Sequence, residues 1–289
     1  MSPLKIFCLA TRPVACLTAF AGTWATTLLT TMIDPWSVAA FMPAVVMSLC
    51  CLAASLFYAG SPWRGMKYLP KFIDRPLPEY RHVLFLAAAA SFLLALILCA
   101  RFLPWVGLLI MLMQGMAVMA YTLVCGKTRY WFYQSTIVAY ICMNCVVMGS
   151  LDASFAQGSV IGQLMLFTFS TYLLREVLKR LDEASRNPDL ADMPLKVSIE
   201  DPPVYIGIGG GMRVAGIVAL FTITFFTLVF PHEGSPLLNT GYLCLLLGLC
   251  LLFTWLISGL RTFFIRGTHH AVTALVWVLM VVLVTNRPV

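Results

Sequence analysis

The chain has 289 residues and the composition of a membrane protein. Hydrophobic residues make up 61% and charged residues only 11%, with a mean hydropathy of +0.90, whereas soluble domains average about 45–50% apolar and about 25% charged residues. This composition excludes a water-soluble fold. The net charge of +7 would suit a nucleic-acid binder, but the Lys and Arg residues lie in short loops between apolar runs, where they orient a membrane protein. We therefore expect no nucleic-acid partner.

Nine stretches have the length and composition of membrane-spanning helices. A span needs about 20 mostly apolar residues, because the hydrocarbon core is about 30 Å thick and each helical residue rises about 1.5 Å. The sequence thus predicts an all-α integral membrane protein with about nine transmembrane helices in a single polytopic domain, residues 1–289. The nine runs, all without Asp, Glu, Lys or Arg, are 14–33, 35–60, 83–100, 102–126, 130–151, 153–174, 214–231, 234–260 and 267–286.

Basic residues are segregated to one side of the predicted bundle. When the chain is threaded alternately through the nine runs, all but Arg101 and Arg287 of its 19 Lys and Arg residues fall on the side of the N-terminus. Cytoplasmic loops retain Lys and Arg. We therefore predict a cytoplasmic N-terminus and a C-terminus on the opposite side.

Two cytoplasmic loops are longer than the others. They span about 61–82, after the second helix, and about 175–213, after the sixth. At the start of the second loop, Thr171 to Ser185 is predicted to continue the sixth helix into the cytoplasm. Asn187-Pro188 should end that continuation, because proline disfavours helix at its own position and at the one before it.

Three motif-like features have simple interpretations. Cys142 and Cys145 have C-x-x-C spacing, but a hydrocarbon environment disfavours the thiolate that redox or zinc chemistry needs. The glycine-rich stretch 207–211 lacks a complete Gly-x-Gly-x-x-Gly fingerprint and a βαβ context, which favours a flexible entry into the seventh helix. His269-His270 begins the ninth helix with no Cys or carboxylate close in sequence, which favours interfacial histidines.

Short elements along the chain resemble those of UbiA-type prenyltransferases. Arg75-Pro76-Leu77-Pro78, between the second and third helices, is similar to the Arg-Pro-Leu-Pro element of that family. Arg12-Pro13 precedes the first helix, and Tyr121-Thr122 near the end of the fourth helix is followed by Lys127. Arg175-Glu176-Val177-Leu178-Lys179 resembles the family's Arg-Glu-Ile-Ile-Lys at the end of the sixth. The resemblance covers essentially the whole chain and implies a UbiA-type bundle.

The resemblance also shows that the first aspartate-rich motif is missing. In the family, aspartates in the two long loops hold magnesium ions that bind the diphosphate of a prenyl donor, because charge develops on the phosphate as the C–O bond breaks. Counted back from Arg75, the aspartate positions fall near Ser61, Arg64 and Tyr68. Asp74 is the only carboxylate between the second helix and Arg75.

The second aspartate motif is partly kept. Aligned on Arg175-Glu176, the family's Asp-x-x-x-Asp falls on Glu183 and Asn187, with Asp182 adjacent, and Arg180 replaces another commonly acidic position. The resemblance thus implies at most one Mg²⁺ site, with Asp182, Glu183 and Asn187 as ligands and as catalytic residues. The alternative is a helix end of mixed charge that is simply solvated.

Basic residues could bind the phosphate where metal ligands have been lost. Arg64 and Lys67 bring positive charge to the first motif, and arginine offers a bidentate fork to phosphate. The positive-inside bias alone would also place such residues here. The phosphate-binding residues that the resemblance implies are Arg64, Lys67, Arg75, Lys127, Arg175 and Lys179.

The sequence therefore predicts a divergent UbiA-type membrane prenyltransferase, which transfers a prenyl group from a prenyl (di)phosphate to an acceptor. The alternative is a non-catalytic UbiA-like protein that binds an isoprenoid, quinone or lipid, since fold does not guarantee function. A small transporter ranks last, because the predicted spans contain no Asp, Glu, Lys or Arg. The expected partners are a prenyl (di)phosphate or another isoprenoid lipid, together with membrane lipids.

Overall fold

The protein is built from helices throughout the part of the chain that the structure describes. That part of the computed structural model comprises residues 10–31, 33–61, 80–127, 131–152, 158–186, 195–196, 205–206, 208–229, 243–244, 246–253 and 268–285. The helices in chain order are α1 (Pro13–Thr30), α2 (Val38–Gly60), α3 (Arg81–Phe102), α4 (Trp105–Lys127), α5 (Trp131–Gly149), α6 (Gly158–Arg186), α7 (Ile208–Val229), α8 (residues 246–253) and α9 (Thr268–Thr285).

One small strand pair lies between α6 and α7. Strands β1 (Leu195–Lys196) and β2 (Tyr205–Ile206) are antiparallel, with Leu195 opposite Ile206. Each strand has only two residues. The pair does not change the predicted fold class, which the helices determine.

Five of the described helices contain a stretch long and apolar enough to cross a membrane. A sixth, α5, contains the shorter apolar stretch Tyr133–Gly149. Large apolar side chains such as Leu86 and Leu112 are exposed on these helices, as expected where lipid replaces water around them. The chain is therefore a multi-pass integral membrane protein. The five long stretches are Pro13–Thr30, Val38–Gly60, Arg81–Phe102, Trp105–Thr122 and Gly210–Leu228.

Helices α1 to α5 and α9 begin and end within a few residues of the predicted runs, whereas the ends of the eighth predicted run, 234–260, lie outside the described residues. Helix α6 runs without a break from Gly158 to Arg186, which confirms the predicted continuation beyond residue 174. Helix α7 begins at Ile208, whereas the apolar run begins at 214, because Arg213 interrupts the run but remains helical and exposed. The glycines at 209–211 therefore lie within the first turn of α7 and do not precede it.

One compact unit comprises residues 1–128 and 144–155. Within it, α2 packs against α1 and α3. Its core contains Met47 and Cys50 of α2, Ala95 of α3 and Met111 of α4, all buried. The end of α5 completes this core with Met148.

The close approach of α5 to α1 depends on a glycine. The hydroxyls of Thr26 and Thr30 donate to carbonyls one turn earlier in α1, both at 2.8 Å, so these polar side chains are satisfied without water. The Thr30 hydroxyl also lies 3.3 Å from the carbonyl of Gly149. A Cβ at Gly149 would come within 2.5 Å of the Thr23 carbonyl oxygen. Only glycine therefore permits this contact.

A second compact unit comprises residues 129–143 and 156–289. Here α7 and α9 both pack against α6. The apolar core continues along α6 past Arg175, because Val177, Leu178 and Leu181 are fully buried in it together with Ala215 of α7. The extension of α6 is therefore a packed element. The predicted single polytopic domain stays a prediction, since a compact unit within a helical bundle need not be a separate domain.

Candidate functional site

The extension of α6 carries a cluster of charged side chains beside the apolar core. We define the α6–α9 polar cluster as Arg175, Glu176, Lys179 and Asp182 of α6 with His269 and Thr273 of α9. On α6 the residues Arg175 and Asp182 are about two turns apart and therefore lie on the same face. Between them along the chain, Leu178 and Leu181 are buried in the apolar core of the second compact unit, and this packing holds the extension of α6 in place.

Arg175 is held in place by α9. Its Nε donates to Thr273 Oγ1 at 2.8 Å, and a terminal nitrogen of the guanidinium pairs with the carboxylate of Glu176. Thr273 Oγ1 in turn donates to the backbone carbonyl of His269 at 2.9 Å. The Arg175 side chain remains 27% exposed. Because a guanidinium has more N–H groups than these two contacts use, Arg175 can also bind a phosphate.

Glu176 is a buried carboxylate between two cations. Its side chain is only 5% exposed, and its Oε2 lies 3.9 Å from the Nζ of Lys179, in addition to the contact with Arg175. A buried carboxylate must be compensated in this way, since an unpaired buried charge is strongly disfavoured. With Asp182, the cluster has two carboxylates and two cations, so an anionic ligand would be bound by the partly exposed Arg175 and Lys179 and not by an excess of positive charge.

Asp182 lies beside a buried histidine. Asp182 is 3% exposed, and its Oδ2 is 3.6 Å from Nδ1 of His269, which is itself 8% exposed. That distance is longer than a hydrogen bond, and Nδ1 has no hydrogen-bond partner within the described ranges. His269 is therefore buried against α6, whereas His270 is exposed, and the membrane depth of the two histidines stays a prediction. The solvated alternative for this helix end is wrong for Asp182.

The structure brings together only part of the predicted site. Arg175, Lys179 and Asp182 belong to the α6–α9 polar cluster, as described above. Lys127 ends α4 and Glu183 lies in α6, and for both the structure describes the backbone alone. The remaining predicted site residues lie outside the described residues: Arg64, Lys67, Arg75 and Asn187.

The described carboxylates do not by themselves form a magnesium site. Over the described ranges, no group of three or more His, Cys, Asp or Glu residues could hold a metal ion. Magnesium requires oxygen ligands in nearly octahedral geometry, whereas Glu176 lies between cations and Asp182 faces an imidazole. The other two predicted ligands are the Glu183 carboxylate and Asn187, so the metal stays a prediction.

A separate group of residues lies in the first unit. Arg12 precedes α1 with φ 47° and ψ 63°, a left-handed conformation consistent with the proline that follows, which disfavours the right-handed region. Its guanidinium carbon is 5.1 Å from the ring centroid of Tyr58, and that centroid is 5.5 Å from the ring of Tyr121. This geometry is a cation–π contact, and it leaves Arg12 exposed.

Sequence reasoning missed several of these residues as parts of a site. Arg12 and Tyr121 carry the family resemblance but were not among the predicted ligands, and no pattern in the sequence singles out Tyr58. His269 and Thr273 were missed because their partners on α6 are far away along the chain. The sequence signal for Glu176 was the Arg-Glu pair itself, which does not show that the carboxylate is buried.

Comparison with known proteins gives one match. No family model matches the chain, and no curated protein matches its sequence. A solved structure described as "Structural and mechanistic insights into the biosynthesis of Digeranylgeranylglyceryl phosphate synthase in membranes" is similar, with a TM-score of 0.72 over 99% of each chain and 12% sequence identity. That synthase is a UbiA-superfamily prenyltransferase. The chain described here therefore has the fold of a UbiA-type membrane prenyltransferase.

Proposed function

We propose that this protein is a divergent UbiA-type prenyltransferase that transfers a prenyl group from a prenyl (di)phosphate to an acceptor. The observation that carries the proposal is the similarity of its fold, from end to end, to a membrane prenyltransferase. The α6–α9 polar cluster supports it locally, since it holds two cations where the resemblance expects phosphate-binding residues.

The reaction needs positive charge at the leaving group. When the C–O bond of the donor breaks, its electron pair stays with the (di)phosphate and the prenyl carbon becomes electron-poor. The acceptor nucleophile then bonds to that carbon and loses a proton. Arg175 would stabilise the charge on the leaving phosphate, because its contact with Thr273 fixes the fork before the ligand arrives. Lys179 would add a second positive charge one turn away.

Further residues complete the proposed site. Arg64, Lys67, Arg75 and Lys127 are proposed to bind the phosphate together with Arg175 and Lys179. Asp182, Glu183 and Asn187 are the residues that would hold a magnesium ion, at one site at most. When bound, that ion would neutralise charge on the departing phosphate. The prenyl chain would lie among the apolar helices, with membrane lipids around them.

A second candidate function is a non-catalytic protein that binds an isoprenoid, quinone or lipid. The contacts of the described carboxylates favour it, because Glu176 lies between Arg175 and Lys179 and Asp182 lies beside His269. The loss of the first aspartate motif from the sequence favours it as well. In this function the same basic residues would bind an anionic headgroup without cleaving it.

Turnover of a labelled donor separates the two functions. The full-length protein, in nanodiscs made from bacterial lipid, would be incubated with Mg²⁺, lipid extract and radiolabelled prenyl diphosphates of several chain lengths. The prenyltransferase predicts release of diphosphate and a labelled lipid product, and both should fall in Arg175→Ala but persist in Arg213→Ala, which changes an exposed arginine on α7. Binding of labelled donor without any release of diphosphate would instead support the non-catalytic function.

A further inference from the structure

Two contacts attach the start of α9 to the extension of α6. Arg175 Nε donates to Thr273 Oγ1, and Asp182 Oδ2 lies beside His269 Nδ1. His269 and Thr273 are four positions apart on α9, so they lie on one face of that helix. Arg175 and Asp182 are seven positions apart on α6 and likewise share a face. The earlier residue of α6 meets the later residue of α9. The two helices therefore run antiparallel here and contact each other through these two pairs of residues.

We propose that His269 and Thr273 are positioning residues, which hold Asp182 and Arg175 for the reaction without touching the substrate. This inference rests on the proposed function, because it assigns α9 a role in the same site. It goes beyond the sequence resemblance, whose motifs end on α6 and include no residue of α9. Helix α9 would therefore contribute two residues to the site.

The hydrogen-bond directions around Thr273 define its role. A hydroxyl has a single proton to donate, and Thr273 donates it to the His269 carbonyl at 2.9 Å. Its oxygen must therefore accept from Arg175 Nε, at 2.8 Å. Anchoring Nε fixes the plane of the guanidinium and directs its terminal nitrogens. A free arginine would otherwise lose considerable rotamer entropy on binding a phosphate.

The burial around His269 defines the second role. Asp182 and His269 are both more than nine-tenths buried, beside the fully buried Leu178 and Leu181 of the same core. A side chain this deep has few alternative conformations, and the imidazole nitrogen lies 3.6 Å from the carboxylate oxygen. His269 therefore restrains the Asp182 carboxylate, while the exposed His270 next to it does not.

Binding of inorganic diphosphate to the full-length protein in nanodiscs tests the role of Thr273. Thr273→Val removes the acceptor with little change in shape and should weaken diphosphate binding about 10- to 100-fold, the usual effect of removing a hydrogen bond to a charged group. Thr273→Ser keeps the hydroxyl and should restore wild-type binding. Thr222→Val is the matched control, because buried Thr222 donates only to a carbonyl of its own helix α7. It should lower the thermal midpoint as Thr273→Val does but leave binding unchanged.

Two further measurements separate positioning from simple packing. If Thr273 acts through Arg175, then Thr273→Val should cause no additional loss of binding in an Arg175→Lys background, where Nε is absent. His269→Ala, which removes the ring beside the Asp182 carboxylate, should lower kcat for a prenyl diphosphate more than it changes KM. His270→Gln should change neither parameter.

The outcomes distinguish this inference from the proposed function. Weakened diphosphate binding in Thr273→Val, rescued by Thr273→Ser, supports the inference even if no prenyl transfer is ever detected. Prenyl transfer with equal diphosphate binding in Thr273→Val and wild type would overturn the inference and leave the function intact. Additive losses from Thr273→Val and Arg175→Lys would overturn it too. A wild-type protein that neither binds diphosphate nor turns over a donor would overturn both.

Discussion

Single residues in the α6–α9 polar cluster differ in how strongly they are tied to their surroundings. The Glu176 carboxylate is almost fully buried, whereas its partners Arg175 and Lys179 are 27% and 34% exposed. Removing the carboxylate breaks its contacts with both cations at once. Removing Lys179 leaves Glu176 still paired with Arg175. The loss of the carboxylate should therefore cost more than the loss of Lys179.

Glu176→Gln should lower the free energy of unfolding by about 1–3 kcal/mol, because the amide cannot neutralise either cation. Lys179→Met should cost less than about 1 kcal/mol, since the 3.9 Å contact involves a partly exposed cation. Thermal or denaturant unfolding in a single detergent, followed by circular dichroism, measures both. Equal losses in the two variants would contradict the arrangement described for Glu176.

Arg64 and Lys67 allow a test of whether cations have replaced a metal. If they bind the phosphate directly, Arg64→Ala and Lys67→Ala should each weaken prenyl-phosphate binding by about 1–3 kcal/mol, and binding should survive a chelator. Glu183→Gln should reduce turnover more than binding, because a remaining magnesium would act mainly on the departing phosphate. Equilibrium binding with and without chelator measures this. Binding abolished by chelator yet unchanged in both alanine variants would leave topology as the role of these two residues.

Among the helices, the contact of α5 with α1 makes the clearest prediction. Gly149→Ala places a Cβ within 2.5 Å of the Thr23 carbonyl and 2.8 Å of Thr26 Cβ, so the helices must separate, at a cost of about 1–3 kcal/mol. Gly162→Ala in α6 is the matched control, because nothing lies within 4 Å of its added methyl. Thermal unfolding in detergent should show a lower midpoint for Gly149→Ala alone. A midpoint as high as in the control would refute the close contact.

The helices could be predicted from the sequence to different extents, for physical reasons. The length of an apolar run identifies a membrane span well, because the thickness of the hydrocarbon core sets the minimum length of a spanning helix. The same criterion starts α7 too late, since a helix continues past the apolar boundary through Arg213. It also cannot distinguish a solvated extension of α6 from a packed one. The burial of Asp182 beside His269 is a tertiary contact, and no spacing along the chain encodes it.

At the scale of the whole molecule, the fold is similar to that of the synthase although only 12% of the residues are identical. A bundle in lipid needs apolar runs of sufficient length and close helix contacts, such as Gly149 on α1. Many sequences satisfy those requirements. A metal site depends on a few carboxylates at fixed positions, so it can be lost without loss of the bundle. Each compact unit contains an arginine held by a neighbouring group, Arg12 in one and Arg175 in the other.

The orientation of the bundle is the prediction that belongs to this scale. All but two of the 19 Lys and Arg residues segregate to one side when the predicted spans are threaded, so the N-terminus and the 61–82 and 175–213 loops should be cytoplasmic. Cysteines introduced as Met66→Cys and Ser198→Cys should then react with a membrane-impermeant maleimide only after the cells are opened. Glu233→Cys, between the seventh and eighth predicted spans, should react in intact cells and serves as the control. Because the positive-inside bias acts on the loops collectively, labelling of Met66→Cys or Ser198→Cys from outside would refute the orientation as a whole.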